Sequence, residues 1–81
     1  MNKVVSVTPQ DDYSLILIFE NGEQRVFDVR PYLDKGIFFE LKDLNYFRRV
    51  RVAFNTVQWP HEQDFAPETL YLESRALASA Q

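Results

Sequence analysis

The sequence predicts one small α+β domain: an antiparallel sheet of about five strands in the order β-β-β-α-β-β-α, with two short helices. Three observations carry this reading. The first third of the chain runs in short β-branched and aromatic stretches, cut by Pro9 and by Asn21-Gly22. From Ile37 the apolar spacing lengthens to three or four residues, the period of a helix. After two further short apolar runs, Pro67-Glu68 forms a helix-start signal.

Each element has a local reason. Lys3–Thr8 carries Val4, Val5 and Val7 and stops at Pro9, which has no N–H to give a ladder. Gln10-Asp11-Asp12 is a polar turn. Tyr13–Glu20 is the strongest strand, and Asn21-Gly22 suits the two left-handed positions of a type I′ hairpin turn. Glu23–Val29 returns as the third strand. That turn sets Leu17 opposite Val26 and Ile16 opposite Phe27. One face then holds Leu15, Leu17, Phe19 and Val26, and the other Ile16, Ile18, Phe27 and Val29. Neither face is polar, which is the pattern of a sheet covered on both sides.

Arg30-Pro31-Tyr32-Leu33 leaves the sheet and Asp34-Lys35-Gly36 turns. Ile37, Leu41, Leu44 and Phe47 form a helical stripe, and an N-cap at Asp43 divides it into two short helical turns. Val50–Phe54 alternates as a fourth strand, Asn55-Thr56 turns, and Val57-Gln58-Trp59 is a short fifth strand. His61–Ala66 is a loop whose Asp64 is placed to cap the last helix. That helix opens at Pro67 and ends near Leu77. The domain is assigned to residues 1–77, with 78–81 as a flexible tail.

Composition narrows the function. With no cysteine and one histidine, His61, neither disulfides nor a zinc cage is expected to hold 81 residues together. Seven Phe, four Tyr and one Trp supply the core instead. A net charge of −3 argues against a general nucleic-acid binder. No apolar run approaches the roughly 20 residues of a spanning helix. No signal peptide is visible, so the cytoplasm is the expected compartment and no membrane role is assigned. With only Gly22 and Gly36, a glycine-rich phosphate cradle is ruled out. No catalytic, cofactor or metal residue is assigned.

A series of short motifs runs through the chain in order. Phe19-x-Asn21-Gly22-Glu23, Phe27-Asp28-Val29 and Gly36-x-Phe38-x-x-Leu41 come first. Phe47, Val50 and Val52 precede Thr56-Val57-x-Trp59-Pro60, Asp64 and Pro67-Glu68-x-Leu70-Tyr71. This order resembles the bacterial domain-of-unknown-function family numbered 2442, over residues 3 to about 72. The resemblance implies antiparallel strands with a few helices and no established activity. Some members carry the domain ahead of a helix-turn-helix domain, and others are encoded beside a second small protein, which points to an interaction or regulatory module. The family often has glycine where this chain has Glu62.

Four groups of residues are candidates for function. Two short helices cover one face of the sheet and the sequence does not say which; with the other taken as Ile16, Ile18, Phe27 and Val29, that face stays bare as a surface for a second copy or a second small protein. Arg48, Arg49 and Arg51 form the only dense basic run, suited to phosphate contacts with Tyr46 or Phe47 stacking, or simply to a helix end in water. Trp59, His61, Asp64 and Tyr71 form a candidate polar site, with His61 as base or ligand and Asp64 orienting it; the aromatics suit a core equally well. Asp28 sits between apolar residues, to be paired with Arg30 or Arg25 or held for chemistry. The function expected first is a protein-interaction or regulatory module that self-associates or pairs with another small protein. A nucleic-acid-associated domain is the second reading, and a small-ligand or enzyme domain around His61 and Asp64 the third.

Overall fold

The computed structural model describes residues 2–77. Strands β1 (Val4–Pro9), β2 (Ser14–Phe19) and β3 (Gln24–Asp28) come first. Two 3-10 segments, Arg30–Tyr32 and Gly36–Lys42, lead into the one-turn helix α1 (Leu44–Phe47). Strands β4 (Arg51–Ala53) and β5 (Thr56–Gln58), helix α2 (Pro67–Glu73) and the two-residue strand β6 (Arg75–Ala76) follow. The α+β antiparallel architecture is as expected, but the strands divide into two sheets: a four-stranded β1-β2-β3-β6 sheet and a separate β4-β5 pair. The predicted tail, 78–81, lies outside the described residues.

The β2-β3 hairpin forms one residue out of the predicted register. Leu15 lies opposite Phe27, Ile16 opposite Val26 and Leu17 opposite Arg25. The cause is the turn. Only Gly22 takes a positive φ (88°), so the two-residue type I′ loop is not made. Instead the Phe19 N–H donates to the Glu23 carbonyl (3.0 Å) and the Gly22 N–H to the Phe19 carbonyl (2.8 Å), closing a three-residue loop. The Asn21 side chain accepts from the Glu23 N–H (2.9 Å) and holds it. A slip of one residue moves every side chain to the other face. The expected register would set Asp28 opposite Leu15 in the core and turn Phe27 to the open side. The observed one buries Phe27 and Val29 completely and sets Asp28 opposite Ser14 on the open face. Burying a Phe is worth about 1.5–3 kcal/mol, and a carboxylate is kept out of the core. Phe27 and Val29 therefore leave the candidate interaction surface.

The same turn recurs at Gln10–Ser14 and Trp59–Gln63, where Tyr13 (φ 66°) and Glu62 (φ 72°) stand in place of Gly22. Tyr13 has a reason to accept the left-handed conformation: its ring packs on Phe47 (centroids 5.2 Å) and its hydroxyl donates to the Lys42 carbonyl. Glu62 is exposed, and among the described residues its side chain makes no hydrogen bond or ion pair to offset the strain. Glu62→Gly should therefore stabilise the domain by about 0.5–1 kcal/mol, raising Tm by roughly 2–8 °C. A calorimetric scan showing Tm unchanged or lowered would refute that account. The type I′ turn itself occurs at Phe54-Asn55, both at positive φ, between Ala53 and Thr56.

The helical parts obey their caps. Asp43 accepts from the Asn45 N–H (3.0 Å) and starts α1, so the Ile37–Phe47 stripe is indeed two short helical pieces. Asp64 does not cap α2; Ala66 occupies that position without a side-chain bond, and Asp64 bridges Gln58 through the backbone. The last helix ends at Glu73, short of the predicted Leu77. Ser74 turns extended (ψ 165°) and its hydroxyl donates to the Tyr71 carbonyl, after which Arg75-Ala76 joins the β3 edge.

The helical segments, the β4-β5 hairpin and α2 close over one side of the large sheet. The core between them holds Leu15, Leu17, Phe19, Phe27, Leu41, Phe47, Trp59, Phe65 and Leu70. Phe65 sits at its centre, stacked on Phe38 (4.7 Å) and edge-on to Phe27 (5.0 Å). Among the described residues no buried side-chain nitrogen or oxygen lacks a partner.

Candidate functional site

The open side of the sheet is legible row by row from the strand register. Ser6, Ile18 and Gln24 make one row, and Thr8, Ile16, Val26 and Arg75 the next. Ser14 and Asp28 follow. Ile16, Ile18 and Val26 are half-buried by their neighbours on the sheet, and none of the helices packs over them. Of the four residues named for a candidate surface, Ile16 and Ile18 lie on this open side. Val26 replaces Phe27 and Val29 because of the register shift.

At the Ser14–Asp28 end the face drops into a cleft of about 250 Å³ lined by Asp12, Ser14, Val26, Asp28, Arg30, Glu73 and Arg75. Its charges are held in place. Asp12 accepts from the Ser14 N–H (3.1 Å) and hydroxyl (2.5 Å). Asp28 takes a two-pronged contact from Arg30 (both 3.0 Å), the structural pairing anticipated for it. Hydrogen bonds from Ser14 and Arg30 hold the Asp12 and Asp28 carboxyls below their ordinary pKa.

At the far end of the sheet Arg25 occupies a covered-face position with a side chain only 15% exposed. Its Nε donates to Ser74 Oγ and its Nη2 to the Ser74 carbonyl, both at 2.7 Å, and its guanidinium lies 4.5 Å from the Tyr71 ring centre. The Tyr71 hydroxyl donates to Glu23, lowering the Glu23 pKa and raising its own.

These shifts give a pH prediction. Carboxyls depressed in the folded state contribute stability that is present above about pH 4–4.5, where unfolded-state carboxyls titrate. That stability is lost as pH falls through the lower folded values. Tyr71, raised, contributes below about pH 10 and loses its contribution as pH rises. Since Glu23 and Tyr71 share one hydrogen bond, Glu23→Gln should flatten both limbs. Urea midpoints measured across pH check this; unchanged limbs in the variant would contradict it.

The predicted polar site is not assembled. Trp59 is wholly buried and donates its indole N–H to the Phe47 carbonyl (2.9 Å). Tyr71 packs on Phe19 beside Glu23. Asp64 is exposed and does not orient His61. That role falls to Glu40, whose oxygens lie 2.8 and 3.0 Å from His61 Nδ1. Gln63, almost wholly buried, joins Glu40 (2.7 Å) to the Tyr46 hydroxyl (2.7 Å), and that hydroxyl accepts from the His61 N–H. A shallow groove of about 320 Å³ beside it is lined by Phe39, Glu40, Lys42, Asp43 and Tyr46. Glu40 was missed because it lies 21 residues before His61 with no spacing signal. Among the described residues no group of three or more His, Cys, Asp or Glu is placed to hold a metal.

The arginine run is spread out. Arg48 pairs with Asp11 (2.7 Å), Arg51 reaches Gln58 across the small hairpin (3.2 Å), and Arg49 is exposed. Two of the three thus have their hydrogen-bonding capacity partly taken up locally. Among the described residues no helix is long and apolar enough to cross a membrane.

No curated protein and no solved structure matches the chain. A family model does: the one described as "Protein of unknown function (DUF2442)", over residues 4–76. That span takes in every strand and helix from β1 to β6, so the chain belongs to the DUF2442 family, as its Trp59-Pro60 and Leu70-Tyr71 motifs foretold.

Proposed function

We propose that this domain is a protein-interaction module whose contact surface is the open face of the four-stranded sheet. The observation that carries the reading is the side-by-side placement of Ile16, Ile18 and Val26 with no helix or strand among the described residues packed over them. Soluble domains keep contiguous apolar surface small unless it meets a partner. The residues around the strip, Ser6, Thr8, Gln24 and Arg75, are polar and form the rim typical of an interface. Arg48 and Arg51 are each partly engaged, by Asp11 and Gln58, which weakens the reading as a phosphate-binding run.

The test is an NMR titration of the isotope-labelled chain, first by raising its own concentration and then by adding, one at a time, the purified products of the genes on either side of its own. Amide shifts should gather at Ile16, Ile18 and Val26. Shifts gathered instead at His61 or Arg49, or none in either titration, would remove the reading.

A further inference from the structure

We infer that the occupant of the open face is a second copy of this chain, packed sheet to sheet about a two-fold axis. This rests on the reading above and adds the identity of the partner. The charge pattern carries the step. The apolar strip runs into the cleft where Asp12, Asp28 and Glu73 stand among Arg30 and Arg75. A partner of one sign, a nucleic acid or a basic peptide, meets like charges along part of this rim, and like charges in contact oppose docking. A surface with the same mixture does not. In a two-fold contact each copy supplies both members of every pair, so a patch holding acids and guanidiniums beside an apolar strip is self-complementary. Arg30 is already matched by Asp28, while Arg75 has no ion-pair partner among the described residues and projects from the edge strand beside Val26. It is the cation available to a carboxylate of the other copy.

Size sets the strength. Three strands of five or six residues and the two-residue β6, about 4.8 Å apart and rising about 3.3 Å per residue, present roughly 300 Å². With the charged rim, about 500 Å² per copy is covered, or about 1,000 Å² in total, the lower bound for a specific interface. The dimer is therefore weak and concentration-dependent, and the free monomer tolerates its half-exposed isoleucines. A net charge of −3 per copy is too small to hold two copies apart at physiological salt.

The experiment uses the full chain. Sedimentation equilibrium from about 1 to about 500 μM should show the apparent mass rising from 9.6 kDa toward twice that value. Ile18→Lys and, independently, Val26→Lys should each weaken self-association at least tenfold while circular dichroism stays unchanged. Because the chain has no cysteine, Ile16→Cys provides a single thiol. A short bis-maleimide should couple two copies of it, and should couple Phe54→Cys or Ile37→Cys far less. A monomer at every concentration overturns the inference; if the open-face amides still shift with a neighbouring gene's product, the interaction reading stands without it. A dimer that keeps its affinity in both lysine variants, or that couples best through Phe54→Cys, also overturns it.

Discussion

Trp59→Ala should remove most of the folding free energy of this domain. Trp59 is completely buried between Phe47 and Phe65, with ring centres 5.9 and 6.1 Å away, and its indole N–H satisfies the Phe47 carbonyl at the end of α1. Truncation leaves a cavity and strips the Phe47 carbonyl of its shorter bond, so that it keeps only the 3.4 Å bond from the Val50 N–H. Large-to-small changes of this kind remove about 3–5 kcal/mol. A chain of this length has roughly 4–12 kcal/mol in total. Urea denaturation should show the midpoint collapse, with much of the protein unfolded at 25 °C. Trp59→Phe refills part of the space and loses only the indole hydrogen bond, so it should fall between. A loss below about 1 kcal/mol in the alanine variant would mean that the β5 end is not part of the cooperative core.

Arg25→Ala should cost about 2–3 kcal/mol, the range for removing a charged, mostly buried hydrogen-bond donor and leaving its acceptors unpaired. The loss has a place. Arg25 holds Ser74 by two bonds, and Ser74 begins the segment that becomes β6. Hydrogen exchange should show the Leu77 amide, bonded to the Gln24 carbonyl, losing protection while β1 and β2 keep theirs. Arg25→Lys should not restore it, since an ammonium cannot reach both acceptors as a planar fork does. Full stability in the lysine variant would show that charge alone suffices.

The two variants probe different layers of what the sequence encodes. Trp59 was legible as part of a family motif, and the aromatic content alone announced a packed core. Arg25 was not legible as a clamp. In the sequence it is one charged residue in a polar-looking strand start, and Ser74 is 49 residues away. Likewise, His61 stood out as the lone histidine, but Glu40 as its partner depends on how the Gly36–Lys42 segment folds back onto the Trp59–Gln63 turn. Glu62 is the opposite case. The absence of an expected glycine marked the spot, and the positive φ found there gives the reason.

Local patterns in the chain were enough for the order of the first five strands, the Asp43 cap that splits the middle helix and the aromatic character of the core. These depend on neighbours within a few residues: proline without an N–H, an aspartate two residues before an open amide, alternation with period two. The tertiary structure alone decided the hairpin register and the added β6 strand, and with them which side chains face outward. Asn21-Gly22 favours a two-residue turn when taken locally, yet that turn would have buried Asp28 and exposed Phe27. The free energy of burying Phe27, edge-on to Phe65, and Val29 in the core outweighs the preference of one turn, because burial sums over the whole core while the turn acts on two residues.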